Sequence, residues 1–257
     1  MLWIKDYSIF NAFTSRQMDI ILNSLIPVER ISYPLEELLN KIFTQYPQKI
    51  SRFFLKRIEF HSEHMEDFLY DPIPQNFIDF QKLIRSNEKT LVPDILRWFR
   101  KDNRIYHLYG SIILKQTYPN LDSTFFIRRL EELIEKGGDK NAKIILAILH
   151  SWEGGISIHE VCKSFIRKFL IDPTDKNYKT FKTELMILLS QTGVVSGEYG
   201  FSEALKVKKQ EIQEWKKDKD DTLNTFIKDY ETDLDKRIQI YRDQADEDII
   251  LMKRGIR

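Results

Sequence analysis

Cysteine is almost missing from this chain: Cys162 is the one example in 257 residues. A single thiol cannot close an internal disulfide, which excludes the stapled scaffolds of small secreted proteins. Glycine and proline are scarce too, at 9 and 8 residues, well under the usual ~7% and ~5%. Collagen-like and turn-rich classes are thereby excluded, and the composition suits helices. Neither sign of charge dominates, since 40 Lys+Arg face 39 Asp+Glu for a net charge of +1. Charge alone therefore points to no nucleic acid or membrane partner. The longest aliphatic run, Ile144 to Leu149, is far short of the roughly 18 to 20 apolar residues that cross a bilayer. Asp6, Arg16 and Asp19 interrupt the first twenty residues, leaving no secretory leader pattern, so a soluble cytoplasmic protein is expected. Phosphate-loop and dinucleotide fingerprints are absent, and the pairs Gly137-Gly138 and Gly154-Gly155 fit helix ends better than phosphate cradles. No alternating apolar and polar run is flanked by Asn-Gly or Asp-Gly, so no strand pair is expected.

What is present is helical periodicity over almost the whole length. With 42% apolar and 12% aromatic residues there is material for one elongated domain or two compact ones. In Leu91, Val92, Ile95, Trp98 and Phe99 the apolar positions fall at i, i+1, i+4, i+7 and i+8, gathering on one face while Asp94, Arg97 and Lys101 point outward. The same period predicts helices over Met18–Leu25, Leu35–Phe43, Ile50–Phe60, Phe77–Ile84, Ile105–Leu114, Phe125–Ile134, Val161–Leu170 and Phe181–Leu189. Ile144–Leu149 is apolar all round, as in a helix covered on both sides. Ser157 and Glu160 form a capping-box pattern before Val161, Asp172-Pro173 reads as a cap and first helical position, and Gly137, Gly138 and Asp139 end one helix and open the next.

The last third changes character. From Asp221 to Lys253 apolar residues advance in steps of three or four with no Gly or Pro, predicting one helix of roughly 50 Å at about 1.5 Å per residue. Ser202 to Lys217 reads as another helix before it. Short helices in series with apolar residues on more than one face suit stacked hairpins. The expected fold is all-α: degenerate HEAT-like helical hairpin repeats over residues 1–192, then a cap over 193–257 with the long terminal helix. An irregular globular bundle is the alternative, since no clean period of 34 or 40 residues is visible.

Candidate chemistry is thin. His61 and His64, with Glu63 or Asp67, could share a helix face and hold a transition metal, but the two-turn pattern of zinc hydrolases is missing and a polar helix end explains the same residues. His159 lies near Cys162, yet Cys162 sits on the apolar stripe with Phe165 and Phe169, where a thiol behaves as a small hydrophobe. His150 beside Trp152 reads as a hydrogen-bonded packing histidine. Arg97, Arg100, Lys101 and Arg104 interleave with Trp98, Phe99, Tyr106, His107 and Tyr109, a pattern that could hold phosphates and stack bases. Trp98 and Phe99 fall on the inward face, however, and Asp94 and Asp102 dilute the charge. No catalytic, cofactor-binding or metal-ligating residue is assigned, and no cofactor is expected.

The stretch Gly193-Val194-Val195-Ser196-Gly197-Glu198-Tyr199-Gly200-Phe201, followed by Trp215, Phe226, Tyr230, Leu234 and Ala245-Asp246-Glu247-Asp248-Ile249, resembles the carboxy terminus of large bacterial signal-transduction NTPases. That family is related to the NACHT and Avs anti-phage sensors. Upstream, Tyr70, Asp71, Pro72, Ile73, Pro74 and Phe77 have the look of a linker between repeats. Gln244 and Met252 depart from the pattern, standing where basic residues would be expected. The resemblance implies a helical-repeat arm that recognises a phage protein and works with an ATPase and an effector, neither of which this sequence contains. The expectation is thus a non-enzymatic protein-recognition module, with a nucleic-acid-binding repeat through Arg97, Arg100, Lys101 and Arg104, or a scaffolding subunit, as alternatives.

Overall fold

The computed structural model describes residues 13–64, 69–74, 78–101 and 103–254. Among the described residues there are twelve α-helices and no strand. The helices are α1 (Ser15–Ser24), α2 (Tyr33–Gln45), α3 (Lys49–Glu63), α4 (Ile78–Ser86), α5 (Glu88–Trp98), α6 (Arg104–Thr117), α7 (Thr124–Lys136), α8 (Asp139–Leu149), α9 (His159–Phe169), α10 (Tyr178–Leu189), α11 (Gly200–Glu211) and α12 (Asp221–Lys253). Among the described residues no helix is long and apolar enough to cross a membrane. The chain divides into two compact units, one reaching to Pro119 and taking in Ser123–Phe126, the other holding Asn120–Asp122 and everything from Ile127.

In the first unit α2 packs on α4, α4 on α6, and α3 on α5, with α5 also against α4 and α6. Helices α2, α3 and α4 thus each meet the one two places along, while α4, α5 and α6 also meet a sequence neighbour. The core is aromatic, because α2, α3 and α4 each turn phenylalanines inward. Phe54 sits 4.7 Å from Phe80 and 5.2 Å from Phe53 between ring centroids, and Phe43 closes the group at 5.9 Å from Phe53. Each such buried ring is worth roughly 1.5–3 kcal/mol of apolar transfer. A capping box opens α1, where Thr14 Oγ1 accepts from the Gln17 amide at 3.4 Å and Gln17 Oε1 accepts from the Thr14 amide at 2.8 Å.

In the second unit α8 packs on α10, α10 on α9, and α12 on both α9 and α11. Ile144, Ile145, Leu146, Ile148 and Leu149 are all buried, as a helix apolar all round requires. Gly137 and Gly138 have φ of 65° and 84°, values that favour glycine, and they turn the chain between α7 and α8. Two of the punctuation marks work differently from the sequence reading. The extended residue before α9 is Gly155, at ψ 151°, so a 3-10 turn over Ile156–Ile158 has already begun at Ser157. Ser157 therefore caps nothing, and Glu160 pairs with Lys163 at 2.7 Å instead. Asp172 Oδ1 accepts from the Thr174 amide at 2.9 Å and its hydroxyl at 2.7 Å, which makes a side-chain turn ahead of α10 rather than its cap.

The predicted helix Ser202–Lys217 is α11 followed by a 3-10 segment, Ile212–Asp218. Lys219 at φ 49° and the cap Asp220 then redirect the chain, with Asp220 Oδ1 accepting from the Leu223 amide at 3.0 Å. α12 spans the 33 residues from Asp221 to Lys253. It runs antiparallel to α11, since Tyr199 meets Asp246 at 2.5 Å, Glu203 meets Arg242 at 3.6 Å and Lys209 meets Asp235 at 2.6 Å.

Candidate functional site

Four sequence features carry chemistry, and the structure places each. Of the interleaved basic residues, Arg97 pairs with Asp94 one turn away, and Lys101 meets Glu59 Oε1 at 2.6 Å while its ammonium lies 4.4 Å from the Tyr106 ring centroid. Arg100 and Arg104 stay exposed. The aromatics turn away from water: Trp98, Phe99 and Tyr106 are buried, and His107 stacks on Phe99 while its Nε2 lies 3.0 Å from the Phe99 carbonyl. A phosphate-holding surface therefore has two unpaired arginines among the described residues and no open stacking platform beside them. Asp102 lies outside the described residues.

His61 and His64 both belong to the end of α3, but their rings take separate partners. His64 Nδ1–H donates to the Phe60 carbonyl at 2.9 Å and its ring stacks on Phe60 at 4.1 Å. His61 stacks on Tyr70 at 5.8 Å and meets Tyr109 edge-on at the same distance, and its buried Nδ1 has no hydrogen-bond partner. Among the described residues no three His, Cys, Asp or Glu side chains converge as a metal site would need. Glu66 and Asp67 lie outside the described residues, as does Phe77.

Beside His61 is a group that the sequence reading missed. Arg57, on α3, has no exposed surface, yet it carries a guanidinium. Its Nε donates to the Pro72 carbonyl at 3.0 Å, Nη1 to those of Leu25, Ile26 and Val28 at 2.8–3.0 Å, and Nη2 to that of Asp71 at 2.6 Å. The Tyr70 ring lies 4.7 Å from the guanidinium carbon, and its hydroxyl donates to the Ile26 carbonyl at 2.5 Å. Burial lowers the Arg57 pKa and pushes Tyr70 up to about 12, the latter partly offset by the arginine's charge. Carbonyl dipoles and a π face thus stand in for water around a buried cation. This arrangement clasps the α1–α2 connector to the segment Tyr70-Asp71-Pro72, which the sequence suggested as a linker. It is a structural device with no substrate-facing side.

In the second unit Cys162 is fully buried, and burial raises its thiol pKa far from the thiolate form that a nucleophile needs. His159 is occupied elsewhere. Trp215 Nε1–H donates to His159 Nδ1 at 3.2 Å, which makes that nitrogen an acceptor and fixes the neutral ring with its proton on Nε2. Burial lowers the His159 pKa, in keeping with a neutral ring. Around it Lys163 reaches Asp218 at 2.9 Å and Arg167 reaches Asp218 and Asp220 at 3.0 Å each. Both carboxylates are held below their usual range, Asp218 first by the Lys163 hydrogen bond and Asp220 first by the Leu223 amide. The network pins the start of α12 to α9. His150 Nδ1 accepts from Gln191 at 3.3 Å, the packing role read from sequence.

No known family pattern, no curated protein and no solved structure matches this chain.

Proposed function

We propose that the chain is a protein-recognition module that performs no bond-breaking chemistry: a degenerate HEAT-like hairpin stack over residues 1–192, capped by residues 193–257. One observation carries this reading. In the first unit α2, α4 and α6 follow one another as a layer and α3 with α5 as a second, with α5 meeting α4 and α6 across; in the second unit α8 and α10 repeat the relation. Contact with the helix two places along is what stacked hairpins produce, because each pair buries its face on the next. Side chains that could do chemistry support the same reading, since Arg57, Cys162, His159 and Lys163 are spent on backbone carbonyls, packing or internal pairs. Pre-stacked helices present side chains to a partner with little ordering cost.

The resemblance to anti-phage NTPases names the partner class: a phage protein as target, with an ATPase and effector acting beside this arm. The test compares what a tagged chain binds in infected and uninfected cells, followed by binding with the two purified proteins. A phage-encoded protein that binds the purified chain supports the sensor reading. A constant host partner, unchanged by infection, replaces it with scaffolding. ATP hydrolysis by the purified chain that vanishes on a point mutation overturns the non-enzymatic reading altogether.

A further inference from the structure

A cavity of about 250 Å³ opens in the second unit where four helix termini meet: the α7–α8 turn, the last residues of α9 and the start of α10. It falls below the 300–1,000 Å³ of small-molecule and cofactor sites, yet a cavity of ~150 Å³ holds benzene, so it matches one side chain of a partner. Its walls come from two sources. Phe169 and Phe181 supply rings at 74° to one another with centroids 6.2 Å apart, and Ile171 adds an exposed aliphatic edge. Asp139, Asp172 and Asp175 bring three carboxylates to the rim against the one ammonium of Lys168. Lys176 approaches Asp139 from outside at 3.6 Å, an exposed and weak pair.

The backbone adds no net sign, since α7 and α9 end at the cavity while α8 and α10 begin beside it, so the carboxylates set the charge of the rim. Asp172 and Asp175 each use one oxygen to hold the connector, accepting from Thr174 and Asn177, which leaves the other oxygen of each for a ligand. We propose that this cavity receives a single arginine or lysine side chain of a partner protein, its stem against Phe169 and Phe181 and its charge among Asp139, Asp172 and Asp175. Rings and carboxylates together suit a cation on an apolar stem better than either suits an anion or a plain hydrocarbon.

The proposal rests on the protein-recognition reading, but its test needs no partner. The purified chain is titrated with Nα-acetyl-argininamide while amide NMR shifts are followed. Saturable movement of the Gly137, Gly138 and Asp139 amides is expected, with affinity on the order of millimolar, as suits one side chain. Binding should weaken at about 0.5 M salt and by about fivefold or more in Asp139→Asn/Asp175→Asn. Asparagine keeps the turn-holding oxygen, and Glu131→Gln on exposed α7 surface controls for net charge. Equal shifts with Nα-acetyl-norleucinamide would mean an apolar hole only. Shifts with inorganic phosphate instead would mean an anion site at the start of α8, and no saturable shift with any probe would mean no site; each of these overturns the proposal. Because the probe panel is read on the unmodified chain, the outcome does not depend on a variant folding. A failed titration leaves the infection experiment standing, and a failed infection experiment leaves the cavity's preference measurable.

Discussion

Arg57 shows what one residue can decide. It occupies i+7 of the stripe Ile50, Phe53, Phe54, Arg57 and Ile58, so its inward position was legible as a charge on an apolar face. What it binds was not, because its five carbonyl partners lie 14 to 32 positions away in two separate connectors. Replacing it with methionine keeps the volume and strands those carbonyls in a dry site. Arg57→Met should cost about 3–5 kcal/mol, the range for breaking a buried charged network, measured as a lowered midpoint in urea. His159 offers a second residue-scale test. Its folded pKa lies below the unfolded value, so the unfolded chain binds the extra proton more readily. The stabilisation is present above about pH 6.5, the unfolded value, and is lost as pH falls through the folded one. Unfolding free energy should therefore drop as pH falls below about 6.5, and His159→Gln, which offers Trp215 an uncharged acceptor, should flatten the slope. His150, also lowered by burial, keeps part of the slope in that variant.

At the scale of the element, periodicity was the strongest guide. The bounds of α12 were readable because thirty-three residues pass without glycine or proline and Asp220 stands ready as a cap. Cap assignments before α9 and α10 were harder, since the patterns at Ser157 and Asp172 also fit 3-10 and side-chain turns; the backbone angle of Gly155 decides the first and the Thr174 hydrogen bonds to Asp172 decide the second. Gly154 is the sharper case. Its φ is 67°, and a Cβ there would lie 2.7 Å from the Leu188 carbonyl oxygen and 2.9 Å from that of Leu189. Backbone cannot step aside cheaply, so Gly154→Ala should destabilise by more than the ~1 kcal/mol that positive φ alone brings. Thermal denaturation checks this, with Gly138→Ala as the comparison, because nothing lies within 4 Å of its Cβ position.

For the whole molecule, the all-helical class followed from composition and period, and the division near residue 120 did not. Pro119 and Asn120 mark a connector there much like the others in the chain, and the division follows which helices share a core. The first unit closes on Phe43, Phe53, Phe54 and Phe80, and the second on Phe165 with Phe169 and Phe181. Phe54→Ala should cost about 3–5 kcal/mol, and hydrogen exchange should quicken first in α2, α3 and α4; faster exchange spread evenly over all twelve helices would contradict a core of its own for that unit. The balanced charge makes its own statement. Nucleic-acid binding should be weak, fall steeply with salt and change by less than about twofold in Arg97→Ala/Arg100→Ala/Lys101→Ala/Arg104→Ala, the size of weak surface charge effects. Tight binding abolished by that variant would restore the nucleic-acid alternative.

Sealed inside α9, the only sulfhydryl in the protein has a practical use. Alkylating reagents should leave the native protein untouched and mark it only when α9 opens, so labelling rate becomes a clock for that opening. A cysteine introduced on any exposed helix would then take a fluorophore at one known address, with no background substitution required.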